Sequence, residues 1–286
     1  MRRIAGMLFL IVYLGSTVFF YDGKNLDLEV NAADFGVMCI SAAYPGLNLE
    51  LETNMKPEPE NEQKAEIVTA DIETEKKTQP EMVVSGSDEP QVLIVHTHAT
   101  ESYLPASEGN YHTKDVENSV RDVGNVLAET LKAEGIAAVH DQTLHDSPSY
   151  NQSYSRSYVT ITEILKENPT IKCVIDLHRD AIASDSTAAT VSVSGKTCAR
   201  YSYVVSNAVP TYSDNLTFIN AMNETASEEY SGFTGKILER GYRYNQDLSS
   251  KYMLLEIGYN RNRIEDARNT AEVFGKILAD TLKAGH

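Results

Sequence analysis

The sequence predicts an α/β domain: a doubly wound, mainly parallel sheet flanked by helices, preceded by an N-terminal transmembrane helix and a disordered linker. Three observations point there. From residue 90 onward, short apolar runs without alternation take turns with longer amphipathic stretches, the pattern of strands buried on both faces and the helices that cover them. Before that lies an acidic stretch with almost no apolar periodicity, and before it an uncharged apolar run at the start of the chain.

In chain order, Arg2 and Arg3 precede the run IAGMLFLIVYLGSTVFFY, which carries no charge from Ile4 to Tyr21. A helix needs about 17–25 predominantly apolar residues to cross a bilayer core, so the run is just long enough. The arginines before it and Asp22 after it place the N-terminus inside and the rest of the chain outside. A cleaved signal peptide is the alternative. Its apolar part usually spans about 7–15 residues before a small-residue site, whereas this run is longer and ends in Phe-Phe-Tyr.

Residues 22–89 read as a juxtamembrane segment, with a small helix around 32–43, followed by a tether. Residues 50–89 hold twelve acidic residues against four basic ones and three prolines. Half of the net charge of −16, from 25 Lys and Arg against 41 Asp and Glu, therefore sits in a spacer. About 40 flexible residues reach on the order of 35 Å. The acid excess also argues against a nucleic-acid partner, which needs a basic footprint. Cys39, Cys173 and Cys198 are an odd number and far apart, with no CxxC pair, so they make neither a disulfide framework nor a thiolate zinc knuckle.

Residues 90–286 form the catalytic domain in this reading. QVLIVH (91–96) is a strand, 116–134 an amphipathic helix, and Gly135 its stop in a left-handed conformation. IAAVH (136–140) is a second strand, 153–167 a helix, and IKCVIDL (171–177) a third strand. Residues 190–193 and 201–206 flank Ser194-Gly195-Lys196, a hairpin turn. Residues 215–230 are helical, YMLLEI (252–257) is a final apolar strand, and 264–283 a closing helix.

Three of these strands run into ionisable residues: His96-Thr97-His98-Ala99-Thr100-Glu101, Asp176-Leu177-His178-Arg179-Asp180, and Glu256 before Gly258. Ligands of open α/β sheets bind outside the carboxyl ends of the strands. If the three strands are neighbours, His98, His178 and Glu256 share one crevice. Two imidazoles and a carboxylate suit a catalytic zinc, which takes three such ligands and keeps an open position. A further carboxylate must then move the proton of the attacking water. A lone histidine at a strand end is more often a satisfied core or loop residue, whereas Glu256 inside MLLEIG is costly unless paired or functional. His96, two residues before His98, is a structural or ligand-supporting group on this reading. A metal-free triad of Ser102 or Ser155 with His98 and Asp176 is also open, although no G-x-S-x-G elbow accompanies it.

The segments VLIVHTHATESYLP (92–105), NSVRDVGNVLAETLKAEGIAAVHDQTLHD (118–146), YNQSYSRSY (150–158), VIDLHRDA (174–181) and YNQDLSSKYMLLEIG (244–258) resemble the stage II sporulation protein P family. These are the engulfment peptidoglycan hydrolases of endospore-forming Gram-positive bacteria, and the resemblance runs through residues 90–283 in unbroken order. It implies the fold of a zinc N-acetylmuramoyl-L-alanine amidase with one Zn2+ per chain, and an endopeptidase activity on peptide cross-links. It also implies work beside stage II sporulation proteins D and M, at the mother-cell membrane and facing the septal or intermembrane space. By the same resemblance His98 and His178 are metal ligands, with Glu101, or else Glu117 at the helix start, as the third. Glu256 is then the general base, with Asp176, Arg179, Asp180 and Arg243 supporting ligands or touching substrate. A membrane-anchored peptidoglycan-binding module without catalysis is the alternative function.

Overall fold

The computed structural model describes residues 89–286 in full and, before them, the backbone of residues 10–14, 17–21, 28–31 and 81–83. It divides into two units, Met1–Asp71 and Ile72–His286.

In the first unit, strands β1 (Leu10–Leu14), β2 (Thr17–Tyr21) and β3 (Leu28–Asn31) form an antiparallel sheet in that order. The transmembrane helix expected over 4–21 is thus replaced, in its described part, by two strands. The run is rich in β-branched and aromatic residues, among them Ile11, Val12, Val18, Phe19 and Phe20, which suit strands. Among the described residues no helix is long and apolar enough to cross a membrane. Residues 4–9, the helix expected around 32–43 and most of the acidic tether lie outside the described residues.

The second unit is built on a seven-stranded sheet. Its strands are β4 (Glu81–Val83), β5 (Val92–Val95), β6 (Ala138–His140), β7 (Cys173–Asp180), β10 (Tyr201–Ser206), β11 (Lys236–Arg240) and β12 (Tyr252–Tyr259). Their spatial order is β11-β10-β12-β7-β5-β6-β4. The central four, β12, β7, β5 and β6, are mutually parallel. β10 is antiparallel to β12, and β4 is antiparallel to β6 at the far edge. The sheet thus begins at residue 81, earlier than the boundary expected at 90.

Helices α1 (Val120–Ala133), α2 (Ser153–Glu167), α3 (Tyr212–Glu229) and α4 (Ile264–Lys283) cover both faces. Successive residues of β5 explain this: Val92 and Ile94 join one core with α1, α3 and α4, while Leu93 and Val95 join another with Ile161 and Ile164 of α2. Helix α1 starts at Val120 rather than 116 because Ser119 caps it, accepting from the Arg121 amide. Gly135 follows its end at φ +80°, as its position after the helix requires.

The expected turn at Ser194-Gly195 is present, with both residues left-handed, but it joins β8 (Thr190–Val193) to β9 (Lys196–Ala199). Residues 201–206, expected to complete that hairpin, instead enter the main sheet as β10.

Candidate active site

β12, β7 and β5 are parallel neighbours in the sheet interior, so their carboxyl ends meet at one end of the sheet. β7 and β12 are in register there, with Glu256 beside His178. The register shifts just after Glu256, where Gly258 adopts φ +65°. A bulge at that point turns the strand end and re-aims its side chains.

The loop after β5 carries His98 and Glu101, and α1 pins it. Buried Arg121 donates from Nε to the Ala99 carbonyl at 2.9 Å and from Nη2 to the Lys114 and Asp115 carbonyls at 2.8 and 2.9 Å. With the loop held, ligand atoms of His98, Glu101 and His178 lie within 4.8 Å of one another. Glu101 is central: Oε1 lies 3.5 Å from His98 Nδ1, and Oε2 lies 3.5 Å from His178 Nδ1. The Arg179 amide donates to Oε2 at 2.9 Å, and the Arg179 guanidinium lies 3.5 Å from Oε1. Burial opposes ionisation of Glu101, yet Arg179 and hydrogen bonds from His178 and His98 hold its carboxyl well below the usual range. Glu117, the other candidate third ligand, is exposed.

Asp176 sits behind His178, with Oδ1 2.9 Å from Nε2. Burial alone would lower the His178 pKa, but Asp176 and then Glu101 raise it well above the ordinary value. A metal bound there would displace the proton. The donor set fits a zinc ion. Two histidines and a glutamate converge, one histidine has its far nitrogen against a carboxylate, and the cluster opens on a cavity of about 340 Å³ that leaves room for substrate.

Glu256 lines the same cavity, and its Oε2 is buried without a hydrogen-bond partner. Burial pushes its carboxyl up to about 8, with the His178 charge opposing and Glu101 and Asp180 adding to the rise. A carboxyl that titrates near neutrality can both take and return a proton.

The other expected residues divide. Asp180 lines the cavity, and Arg179 is turned inward as the clamp on Glu101. Arg243 is not brought to the site: it is 65% exposed and pairs with Asp247, four residues on, at 2.6 Å. His96 is also outside the cavity. It is buried behind the cluster, with Nδ1 2.9 Å from the Leu177 carbonyl and Nε2 2.8 Å from His140 Nε2. The serine triad does not form, since Ser102 Oγ is buried without a partner and Ser155 is exposed on α2.

Sequence reasoning missed the tyrosines. Tyr150, Tyr154 and Tyr244 line the cavity together with Arg240. Tyr150 stacks on His98 with centroids 4.2 Å apart, and its hydroxyl is 3.0 Å from His98 Nδ1. Two of the three lie in the YNQSYSRSY segment, whose tyrosine repeat was the available signal.

A family model described as Stage II sporulation protein P (SpoIIP) matches residues 15–279. Stage II sporulation protein P of Bacillus subtilis (strain 168) is 30% identical over 214 residues, covering 68% of this chain and 53% of that protein. The chain thus spans about half the length of the curated relative it matches. Among solved structures, the N-acetylmuramoyl-L-alanine amidase AmiC2 of Nostoc punctiforme aligns with a TM-score of 0.43 and 14% identity, over 70% of this chain and 98% of that one. The CwlD amidase from Clostridioides difficile, solved in complex with the GerS lipoprotein, aligns with a TM-score of 0.43 and 12% identity, over 68% of this chain and 99% of that one.

Proposed function

The chain belongs to the stage II sporulation protein P family, and from that membership and the site we propose that it is a peptidoglycan hydrolase acting in sporulation. The reaction is hydrolysis of the amide between N-acetylmuramic acid and L-alanine, with endopeptidase cleavage of cross-links as a second activity. The observation that carries the reading is the convergence of His98, Glu101 and His178 at one cavity with Glu256 on the neighbouring strand.

His98, Glu101 and His178 would hold one zinc ion per chain. Zinc supplies a lowered pKa for water and polarisation of a carbonyl. Asp176 orients His178, and Arg179 fixes both oxygens of Glu101. Glu256 takes the proton of the attacking water on a carboxylate oxygen, then delivers it to the departing amine of L-alanine as the amide bond breaks. The substrate lies outside the cytoplasm, so the domain is placed there, with action beside stage II sporulation proteins D and M as part of the same proposal.

The test is mass spectrometry of muropeptides after incubating purified peptidoglycan with the chain, beside metal analysis of the same preparation. Release of stem peptides, about one zinc per chain, and loss of release in His98→Ala support the reading. Peptide release by His98→Ala at the wild-type rate overturns the metal site. Binding to peptidoglycan without any release, in a chain that holds no metal, supports the binding module instead.

A further inference from the structure

The cavity does not end at the ligand cluster. From His98 a row of rings continues outward: Tyr150 stacks on it at 4.2 Å, and Tyr154 meets it edge-on at 5.6 Å. Tyr244 follows at 5.6 Å from Tyr154, and Tyr242 at 5.9 Å from Tyr244. Tyr150 is 52% exposed and Tyr242 is 72% exposed, the largest value among the exposed large apolar side chains of the described residues. Rings so exposed contribute little to the core, and exposed aromatic surface beside a cavity marks a binding site.

The backbone supports the same conclusion. Tyr244 and Asn245 both adopt left-handed conformations, at φ +50° and +56°. Asn adopts this region readily, but a bulky residue such as Tyr244 holds it only where its surroundings fix it. Here the Asn245 side chain donates from Nδ2 to the Tyr154 carbonyl at 2.9 Å and to Ser157 Oγ at 3.0 Å. Buried Gln246 accepts from the Ser206 amide and donates to the Val204 carbonyl, both at 2.8 Å. The turn after Tyr244 is therefore tied both to the helix that bears Tyr154 and to β10, and this holds Tyr244 beside Tyr154.

The geometry points to a glycan track: the amino-sugar strand of peptidoglycan stacks along Tyr150, Tyr154, Tyr244 and Tyr242. This rests on the peptidoglycan reading and extends it from the scissile bond to the polymer. The row consists of uncharged rings with polar rims, which matches pyranose rings that offer C–H faces and hydroxyl edges. A stem peptide bears charged groups instead, and Asp180 and Arg240 at the cavity suit those better. Tyr242, outermost in the row, would carry a sugar beyond the one whose peptide is cut.

The test uses the full chain with Tyr242→Ala and Tyr242→Phe, on two probes: glycan strands stripped of their stem peptides, and a soluble monomeric muramoyl peptide. Tyr242→Ala should weaken binding to the stripped strands about three- to tenfold, the range expected for one aromatic stacking contact. It should raise KM on polymeric peptidoglycan by a similar factor at unchanged kcat, and leave turnover of the monomer as in wild type. Tyr242→Phe should behave as wild type. Unaltered binding of stripped strands by Tyr242→Ala overturns the track, as does an equal loss on the monomer or a Phe variant as poor as the Ala one. Wild-type chain that binds stripped strands but releases no peptide refutes the hydrolase and leaves the track standing.

Discussion

Asp176 Oδ1 lies 2.9 Å from Nε2 of His178, and both residues are buried. The pairing leaves Nδ1 of the same ring facing Glu101 Oε2. Asp176 is itself held across the sheet, accepting from the Thr97 amide at 2.8 Å and the Thr97 hydroxyl at 2.7 Å. A carboxylate behind a metal-binding imidazole fixes its orientation and strengthens it as a donor. Asp176→Asn keeps the shape and removes the charge, so zinc affinity should fall about 10- to 100-fold. Competition against a chelating dye measures this, and excess zinc should restore much of the peptide release. An unchanged affinity would show that Asp176 serves only the fold.

Glu256 has a separable role. Glu256→Gln should lower peptide release about 10²- to 10⁴-fold, the usual worth of a positioned acid–base group. The zinc content should stay near that of wild type, because Glu256 is not in the ligand cluster. Metal analysis and initial rates on the same preparation decide the point. Loss of zinc together with activity would make Glu256 a ligand or a supporting group instead.

The strands were legible where both faces are buried. VLIV, CVI and MLL are continuous apolar runs, and the adjacency of their strands in a parallel sheet is what joins His98, His178 and Glu256. β11 escaped notice because KILER is an edge strand with three charged residues, and β4 because EMV lies in an acidic stretch. The tyrosine row was only half legible, for a different reason. The repeat in YNQSYSRSY marks Tyr150 and Tyr154, but among the 16 tyrosines of the chain no spacing joins them to Tyr242 and Tyr244. The left-handed backbone at Tyr244 and Asn245, which helps to bring them together, has no glycine to announce it. The same turn explains Arg243: its neighbour Tyr244 enters the cavity wall while Arg243 itself points to solvent and to Asp247.

Gly124 sits inside α1, where alanine would ordinarily stabilise a helix by about 1 kcal/mol. Here a Cβ would lie 2.5 Å from His140 Nε2 and 2.9 Å from His96 Nε2. Those rings cannot swing away freely, since they bond to each other, to the Leu177 carbonyl and to Asn125. Gly124→Ala should therefore destabilise the domain by about 1–3 kcal/mol, as overpacked cores do. Urea denaturation gives the value. In a His140→Ala background the same change should cost less than half as much, and equal costs in both backgrounds would mean that the clash is relieved elsewhere.

The histidine pair also sets how acid affects stability. Burial, with the Arg121 charge adding to it, pushes His140 down to about 3, so the fold holds this ring neutral. The unfolded chain regains an ordinary histidine with a pKa near 6.5. Its contribution is fully present above pH 6.5, where both states are neutral. Below that the unfolded state binds a proton that the fold refuses, and stability falls by about 1.4 kcal/mol per pH unit until the folded pKa is reached. Between pH 8 and pH 5 the loss from this residue is about 2 kcal/mol. Chemical denaturation of chelator-treated protein, which removes the pH dependence of metal binding, should show wild type losing about 2 kcal/mol more over that interval than His140→Gln. Equal losses in the two proteins would mean that His140 accepts a proton within the fold.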